Sequence, residues 1–405
     1  MKNNISKQEK IEEILTRGVE QVFDLEHLKK ALAGEKLNIK HGVDPTGPKI
    51  HLGRASALLK LKDLQDLGHQ IILIIGDFTA QIGDASDKTA MRKDLSEEEI
   101  KKNMADYLPQ IGRVLDMEKT KVYYNGEWLS RLAIKNLFLI AQNFTAQQMI
   151  QRRNFKERWD QDKPIGLHEL LYPLFQGYDS VAIRADLEVG GYDQLFNIQT
   201  GREVQKFFGQ KQQDIMSLKM LIGPDGRKMS TSWGNVINII DAPQQIYGMI
   251  MSMRDELMFD YFEICTRVPM SRVAELKKEM KEEKINPRDI KKELAREIVN
   301  IFHGPEAAAL AEQEFENVFK DKKLPSEITQ IGISGKEDIG ISDLLVALGL
   351  APSKAEAKRL IGQKGVKMGE GENLIVKEDW QEKIKIEDGM IIQVGKRKFA
   401  KIKKV

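Results

Sequence analysis

The sequence predicts an α/β protein: a doubly wound, parallel-sheet first half, then a helical region and a small α/β module at the C-terminal end. Gln70–Ile75 is an almost wholly apolar, β-branched run that stops at Gly76–Asp77, as in a strand buried on both faces of a parallel sheet. Leu37–Val43 reads as an earlier strand. A helix from near His51 through Leu58, Leu61 and Leu64 to Gly68 joins the two, so strand, helix and strand fall within about 40 residues. Charge then sets the tail apart: from Gly340 onward there are 14 Lys and Arg against 9 Asp and Glu, a local +5 that leaves the rest near −3. A basic appendage on a mildly acidic body points to a polyanionic partner.

In chain order, Lys7–Leu32 has the spacing of an amphipathic helix within an N-terminal helical segment, residues 1–35. The sheet domain is expected over 36–240. No G-x-G-x-x-G follows its first strand, so it is not the dinucleotide-binding version. Residues from about Glu127 to Leu174 are helix-rich, with Trp128, Leu129, Phe138, Ile140, Phe144, Met149 and Ile150 at apolar positions, and form an insertion between the halves of the sheet. Val181–Gly191 returns to strand-like sequence. A helical domain is expected over 241–330, where Ile290, Leu294, Ile298 and Ile301 mark one helix face. Gly332–Gly340 is polar and Gly-rich, so residues 331–340 read as a linker. The last module, 341–405, reads as helices Ser342–Leu348 and Ser353–Gln363 followed by short strands.

At 405 residues, with 41% hydrophobic residues and a net charge of +2, the chain has the make-up of an ordinary globular protein of two or three domains. Its only cysteine, Cys265, excludes a disulfide framework and a cysteine-based zinc site. The first ten residues lack the apolar core of a signal peptide, and Ile71–Ile75 is far too short to cross a membrane, so a cytoplasmic location is expected.

Two short motifs carry the chemistry. Pro48–Lys49–Ile50–His51–Leu52–Gly53–Arg54 follows the turn Gly42–Val43–Asp44–Pro45–Thr46, and Gly226–Arg227–Lys228–Met229–Ser230–Thr231–Ser232 lies about 175 residues downstream. A His-x-Gly turn opening a helix offers an imidazole, a glycine thin enough for a nucleotide to lie against the backbone, and the helix's positive end. A Lys-bearing loop can close over phosphates. Further on, Tyr172, Gln176 and Asp179 fall at i, i+4 and i+7 of one helix, which presents a phenol, an amide and a carboxylate on a single face. Their neighbours Leu170, Leu171, Leu174 and Phe175 argue that this face is buried.

In this order and separation the two motifs resemble the HIGH and KMSKS signatures of class I aminoacyl-tRNA synthetases, with Arg54 in place of a second His and Thr231 in place of a second Lys. Tyr172–Asp179, followed by Gly190–Gly191–Tyr192–Asp193–Gln194, narrows the resemblance to bacterial tyrosyl-tRNA synthetases, over essentially the whole chain. The resemblance implies a Rossmann-like catalytic domain that activates tyrosine with ATP and Mg2+ and passes it to tRNA(Tyr). No tightly bound cofactor is implied, and the protein would be a homodimer. It implies His51, Arg54, Lys88, Arg92 and Lys228 as catalytic residues. Asp179 would accept from the substrate phenol, while Tyr172, Gln176 and Asp84 hold the ammonium and Gln194 lies near the carboxylate. Gly42, Asp44, Thr46, Gly53, Gly191, Asp193, Met229, Ser230 and Thr231 would line the nucleotide. Ala85 and Asp87 replace a proline and a glycine of the family, and Tyr192 replaces a small Ser or Thr.

The C-terminal stretch Ser353–Ile361 to Gly365 looks like the helix-loop signature of the ribosomal-protein S-four-like RNA-binding fold, with Lys354, Lys358 and Arg359 as RNA-facing candidates and Lys396–Arg397–Lys398 as a basic end. Three readings stay open on the residues alone: a tyrosine–tRNA ligase, a synthetase paralogue with weak, lost or redirected activity, and a non-enzymatic RNA-binding protein. A related adenylyl-transferring enzyme leaves the Tyr172 helix and the RNA module without a role.

Overall fold

The computed structural model describes residues 6–84, 96–229, 234–320, 328, 330–333, 338–370, 373–395 and 398–404. The chain divides into two compact units, Met1–Ala242 with Met249–Gly304, and Pro243–Gly248 with Pro305–Val405.

The first unit is built on a six-stranded sheet. Its strands are β1 (Val19–Val22), β2 (Asn38–Val43), β3 (Gln70–Ile75), β4 (Thr120–Tyr124), β5 (Leu187–Gly191) and β6 (Asp214–Leu218), in the order β1-β6-β5-β2-β3-β4. All neighbours are parallel except β1, which pairs antiparallel with β6. Every side chain of β3 after Gln70 is buried, as its continuous apolar run requires. From β2 the chain winds outward through β3 and β4, then returns to β2's other side with β5 and β6. The order therefore reverses between β2 and β5. In open α/β sheets the crevice beyond the carboxyl ends of the strands at such a reversal is where ligands bind.

The first helix is shorter than its spacing predicts. Lys7–Leu32 is not one helix but α1 (Lys7–Thr16), β1 and α2 (Leu25–Ala33). Gly18 turns the chain at φ +63°, and the Asp24 side chain caps α2 by accepting from His27 N–H. The helix between the first strands is α3 (Leu52–Asp66). Next come α4 (Thr79–Ile82) and α5 (Glu97–Ile111), and after β4 the short helices α6 (Gly126–Leu129), α7 (Ile134–Ala141), α8 (Ala146–Ile150) and α9 (Arg153–Asp160).

Helix α10 (Leu167–Ile183) then packs on α11 (Leu195–Phe207). The two backbones approach closely: a Cβ on Gly177 would lie 3.0 Å from Val204 Cγ2 and 3.4 Å from Gly201 Cα. The expected strand start at Val181 is displaced, because α10 continues to Ile183 and ends on Arg184 in the left-handed region. The helical region follows as α12 (Pro243–Met251), α13 (Met258–Cys265), α14 (Met270–Lys281), α15 (Pro287–His303) and α16 (Pro305–Lys320).

In the second unit, Gly332–Gly340 departs from the expected linker. Its flanks belong to β7 (Gln330–Ile333) and β8 (Asp338–Gly340), with α17 (Ile341–Ala347) and α18 (Lys354–Gly362) following. The remaining strands are β9 (Val366–Glu370), β10 (Asn373–Lys377), β11 (Lys383–Lys385), β12 (Ile391–Val394) and β13 (Lys398–Lys404). Five form a sheet in the order β10-β9-β12-β13-β7, and β11 pairs with β8. A separate core fills this module, with Leu344 and Leu345 of α17 and Ile361 of α18 against Val366, Ile392 and Ile402.

Candidate active site

The carboxyl ends of β2, β3 and β4 place Asp44, Gly76–Asp77 and Asn125 side by side. Thr79 Oγ1 donates to Asp44 Oδ1 (2.8 Å), and Asn125 Nδ2 donates to Thr79 Oγ1 (3.0 Å). Gly76 is required here, because a Cβ would fall 1.9 Å from Asp44 Oδ1 and 2.3 Å from Thr79 Oγ1. From above, α10 lowers Tyr172 and Asp179 onto this row. Tyr172 OH donates to Asp44 Oδ2 (2.9 Å), while Asp179 accepts from Trp128 Nε1 (2.8 Å) and Asn125 Nδ2 (3.3 Å). One polar circuit thus runs from Asp44 through Thr79 and Asn125 to Asp179, and back to Asp44 by way of Tyr172's helix. Burial of this kind is tolerated only when the groups are paired.

Gln176, between these two on the helix, donates to Glu188 Oε1 (3.1 Å) on β5. Glu188 is also paired with Lys40 of β2 at 3.0 Å, and both side chains are completely enclosed. Lys40 Nζ donates further to Gln176 O (2.7 Å) and Ser180 Oγ (2.8 Å), so the ammonium pins the middle of α10 from beneath. At the pocket's other side, Asp84 accepts from Gln194 Nε2 (2.6 Å) and lies 3.4 Å from Arg152 Nη2. Gly191 closes β5, and a Cβ there would lie 2.5 Å from Asp193 Oδ1.

The two signature segments meet. His51 is the N-cap residue of α3, and the stretch around Asn238 runs antiparallel to it, with Leu52 N–H donating to Ile237 O (2.8 Å) and Ile239 N–H to Ile50 O (2.9 Å). Buried Met229 brings its sulfur 3.4 Å from the position of a Cβ on Gly53, so the Lys228–Met229 loop lies over the glycine of the turn. Arg54 projects from the first turn of α3 and donates to Thr46 Oγ1 (2.8 Å) and to Tyr107 OH. Lys228 itself is exposed.

Geometry therefore gathers Gly42, Asp44, Thr46, His51, Gly53, Arg54, Asp84, Tyr172, Gln176, Asp179, Gly191, Asp193, Gln194, Lys228 and Met229 on the first unit, at strand ends, at the start of α3, on α10 and in the loops beside them. Lys88, Arg92, Ser230 and Thr231, with Ala85 and Asp87, lie outside the described residues. Lys354, Lys358 and Arg359 are on α18 of the second unit. Lys354 pairs with Asp343 (2.6 Å), Arg359 pairs with Glu356 (2.7 Å), and Lys358 Nζ sits 3.6 Å over the Trp380 ring. Sequence reasoning missed Lys40, Glu188, Asn125, Arg152 and Tyr107, and took Trp128 only as an apolar position.

Electrostatics sharpen these roles. Burial pushes the Asp179 carboxyl up to about 7, with Glu188 adding to the rise and Lys40, Trp128 and Asn125 opposing it. Burial, and then the Arg54 charge, depress His51 to about 4, so its imidazole is neutral at pH 7. Its Nδ1 is buried with no hydrogen-bond partner among the described residues. Burial and the Asp44 carboxylate raise Tyr172, which keeps its phenol proton and donates it.

The family model described as tRNA synthetases class I (W and Y) matches residues 6–320. The chain belongs to that family of class I tRNA synthetases. Within it, the chain is 44% identical to the tyrosine–tRNA ligase of Moorella thermoacetica, over 96% of this chain and 94% of the relative. It is 43% identical to the tyrosine–tRNA ligase of Thermotoga maritima, over 96% of each chain. Among solved structures, a tyrosyl-tRNA synthetase complexed with L-tyrosine from Archaeoglobus fulgidus superimposes with a TM-score of 0.61 at 25% identity, over 76% of this chain and all of that one. A C-terminally truncated mitochondrial tyrosyl-tRNA synthetase of Aspergillus nidulans shares the fold, with a TM-score of 0.62 at 19% identity over 78% of this chain and 95% of that one.

Proposed function

We infer that this chain is an ATP-dependent tyrosine–tRNA ligase, which forms tyrosyl-adenylate and transfers tyrosine to the terminal adenosine of tRNA(Tyr). One observation carries the reading: a buried carboxylate, Asp179, is held by Trp128 and Asn125 at the end of a circuit that reaches Asp44 in the signature turn. Such a carboxylate is an acceptor awaiting a hydroxyl, and phenylalanine would leave it unpaired. Asp84 and Gln194 with Tyr172 and Gln176 face the amino acid's ammonium and carboxylate. Gly42, Thr46, Gly53, Gly191 and Asp193 line the nucleotide. The tyrosine carboxylate attacks the α-phosphate and pyrophosphate leaves. His51, Arg54 and Lys228, with Lys88 and Arg92, stabilise the charge that grows on the leaving group. The ATP phosphates would bring Mg2+ as part of the substrate, and its charge would add to that of these residues at the leaving group. Catalysis is positioning plus electrostatics, with no protein nucleophile. Tyrosine-dependent ATP–pyrophosphate exchange tests the reading, and tyrosine binding without exchange would overturn it in favour of a redirected paralogue.

The Asp179 carboxyl predicts a pH dependence. The phenol donates to the ionised acceptor, and protonating Asp179 removes that acceptor, so tyrosine affinity is expected to rise as pH increases from 6 toward 8. The gain should approach about tenfold per unit below the carboxyl's midpoint near 7 and level off above it. Calorimetric titration of tyrosine across this range reads it. A flat profile would mean that Asp179 is ionised throughout or does not meet the phenol.

The partner surfaces follow. α7 exposes Ile134 and Phe138 one turn apart, 72% and 66% accessible, and large apolar side chains grouped in this way mark a protein contact. A homodimer through this helix predicts that Phe138→Asp gives monomers at micromolar concentration in sedimentation velocity, while the unchanged protein sediments as a dimer. Lys354 and Lys358 of α18 supply phosphate contacts to tRNA that position rather than specify. Among the described residues no helix is long and apolar enough to cross a membrane, and the reaction belongs in the cytoplasm with its tRNA.

A further inference from the structure

Helix α5 turns one face toward the signature turn. Asn103, Tyr107 and Gln110 fall at i, i+4 and i+7, and each reaches a different part of residues 45–54. Asn103 Nδ2 donates to Pro45 O (2.9 Å). Gln110 Nε2 donates to Pro48 O (2.8 Å), and its Oε1 accepts from Ile50 N–H (2.8 Å). Between them Tyr107, only 1% exposed, accepts from Arg54 Nη1, while Arg54 Nη2 is held by Thr46 at 2.8 Å. The backbone of the turn is thus clamped at three points, and its arginine, Arg54, is forked between two hydroxyls.

We propose that Tyr107 is the positioning residue for Arg54: its hydroxyl fixes the guanidinium at the leaving-phosphate side of the turn. Arginine is long and has many rotamers, so an untethered guanidinium at the mouth of the site must be ordered during the reaction. Two hydroxyl acceptors order it beforehand, and its remaining N–H donors stay available for the pyrophosphate. Tyr107 touches no substrate atom and acts only through Arg54. Asn103 and Gln110 hold the backbone, so they set where the arginine starts rather than where it points. This inference rests on the tyrosine-activating reading above.

The test is a double-mutant cycle in pyrophosphate exchange, with Tyr107→Phe, Arg54→Ala and both together, on the full chain. Phenylalanine keeps the buried ring and removes only the hydroxyl. In the parent background Tyr107→Phe is expected to lower kcat by about 10- to 100-fold, the range for losing a hydrogen bond to a charged group, with KM for tyrosine unchanged. In the Arg54→Ala background the same change is expected to have less than about a twofold effect, because the group that Tyr107 positions is gone. Equal losses in both backgrounds, or a loss that appears in tyrosine KM, would show a merely structural ring and overturn the proposal. So would an unchanged kcat in the parent background. A parent with no tyrosine-dependent exchange removes the activating reading itself, and the proposal falls with it, an outcome visible before any variant is compared.

Discussion

Replacing Asp179 with asparagine is expected to collapse discrimination between tyrosine and phenylalanine, from about 10,000-fold to less than about 10-fold, through loss of tyrosine kcat/KM. Both carboxylate oxygens of Asp179 already accept: Oδ1 from Trp128 and Oδ2 from Asn125. An asparagine can satisfy only one of these donors. Its own NH2 then faces a second N–H, either the indole of Trp128 or the amide of Asn125. Asn125 cannot turn over to accept, because its Oδ1 is already held by the Phe78 N–H (3.1 Å). The substitution therefore puts a donor–donor clash where the substrate hydroxyl should dock. Exchange rates with each amino acid read the ratio. A ratio preserved in the variant would place the phenol elsewhere.

Much of this site is visible in the linear sequence for a physical reason. The i, i+4, i+7 spacing of Tyr172, Gln176 and Asp179 becomes one helix face whatever surrounds it, and α10 carries all three to the pocket. β3 was equally plain, because a strand buried on both faces admits no polar interruption. The two signature segments were recognisable as a pair, yet their meeting depends on the 237–239 stretch running beside 50–52, which no local pattern announces.

What stayed hidden is long-range pairing. Lys40 sits in a strand that reads as ordinary, and the carboxylate that neutralises it arrives on β5, far along the chain. Trp128 has the apolar spacing of its helical neighbours, but its indole N–H is what holds Asp179. Tyr107 sits on a helix whose spacing predicts no partner, and Arg54 supplies one. The break in Lys7–Leu32 has the same origin: β1 exists because β6 offers it an edge to pair with. The strands at either end of Gly332–Gly340, β7 and β8, likewise exist because β13 and β11 offer partners. Local periodicity favoured a helix in the first case and a linker in the second.

Lys40 carries the largest expected effect on stability. Its ammonium has three protons, and Glu188, the Gln176 carbonyl and Ser180 Oγ take all three within 3.0 Å. Lys40→Met preserves length and apolar volume but leaves Glu188 buried without its counter-ion and takes one donor from the Gln176 carbonyl. Removing one partner of a buried pair costs about 3–5 kcal/mol, far more than the pair contributes when intact, because the stranded charge has no water to turn to. For a unit of this size that corresponds to a fall in Tm of roughly 5–8 °C.

Glu188 keeps donors from Gln213 Nε2 (2.5 Å), Gln176 Nε2 (3.1 Å) and Ser180 Oγ (3.3 Å), so the cost is expected toward the lower end. Adding Glu188→Gln to Lys40→Met removes the stranded charge, and the double variant should recover at least half of the loss. Thermal unfolding followed by circular dichroism reads all three proteins. A single variant that melts within about 2 °C of the parent would mean that Glu188 takes up a proton or water instead. Recovery in the double variant, with tyrosine affinity still reduced, would show that Lys40 also fixes the turn of α10 on which Gln176 and Asp179 are carried.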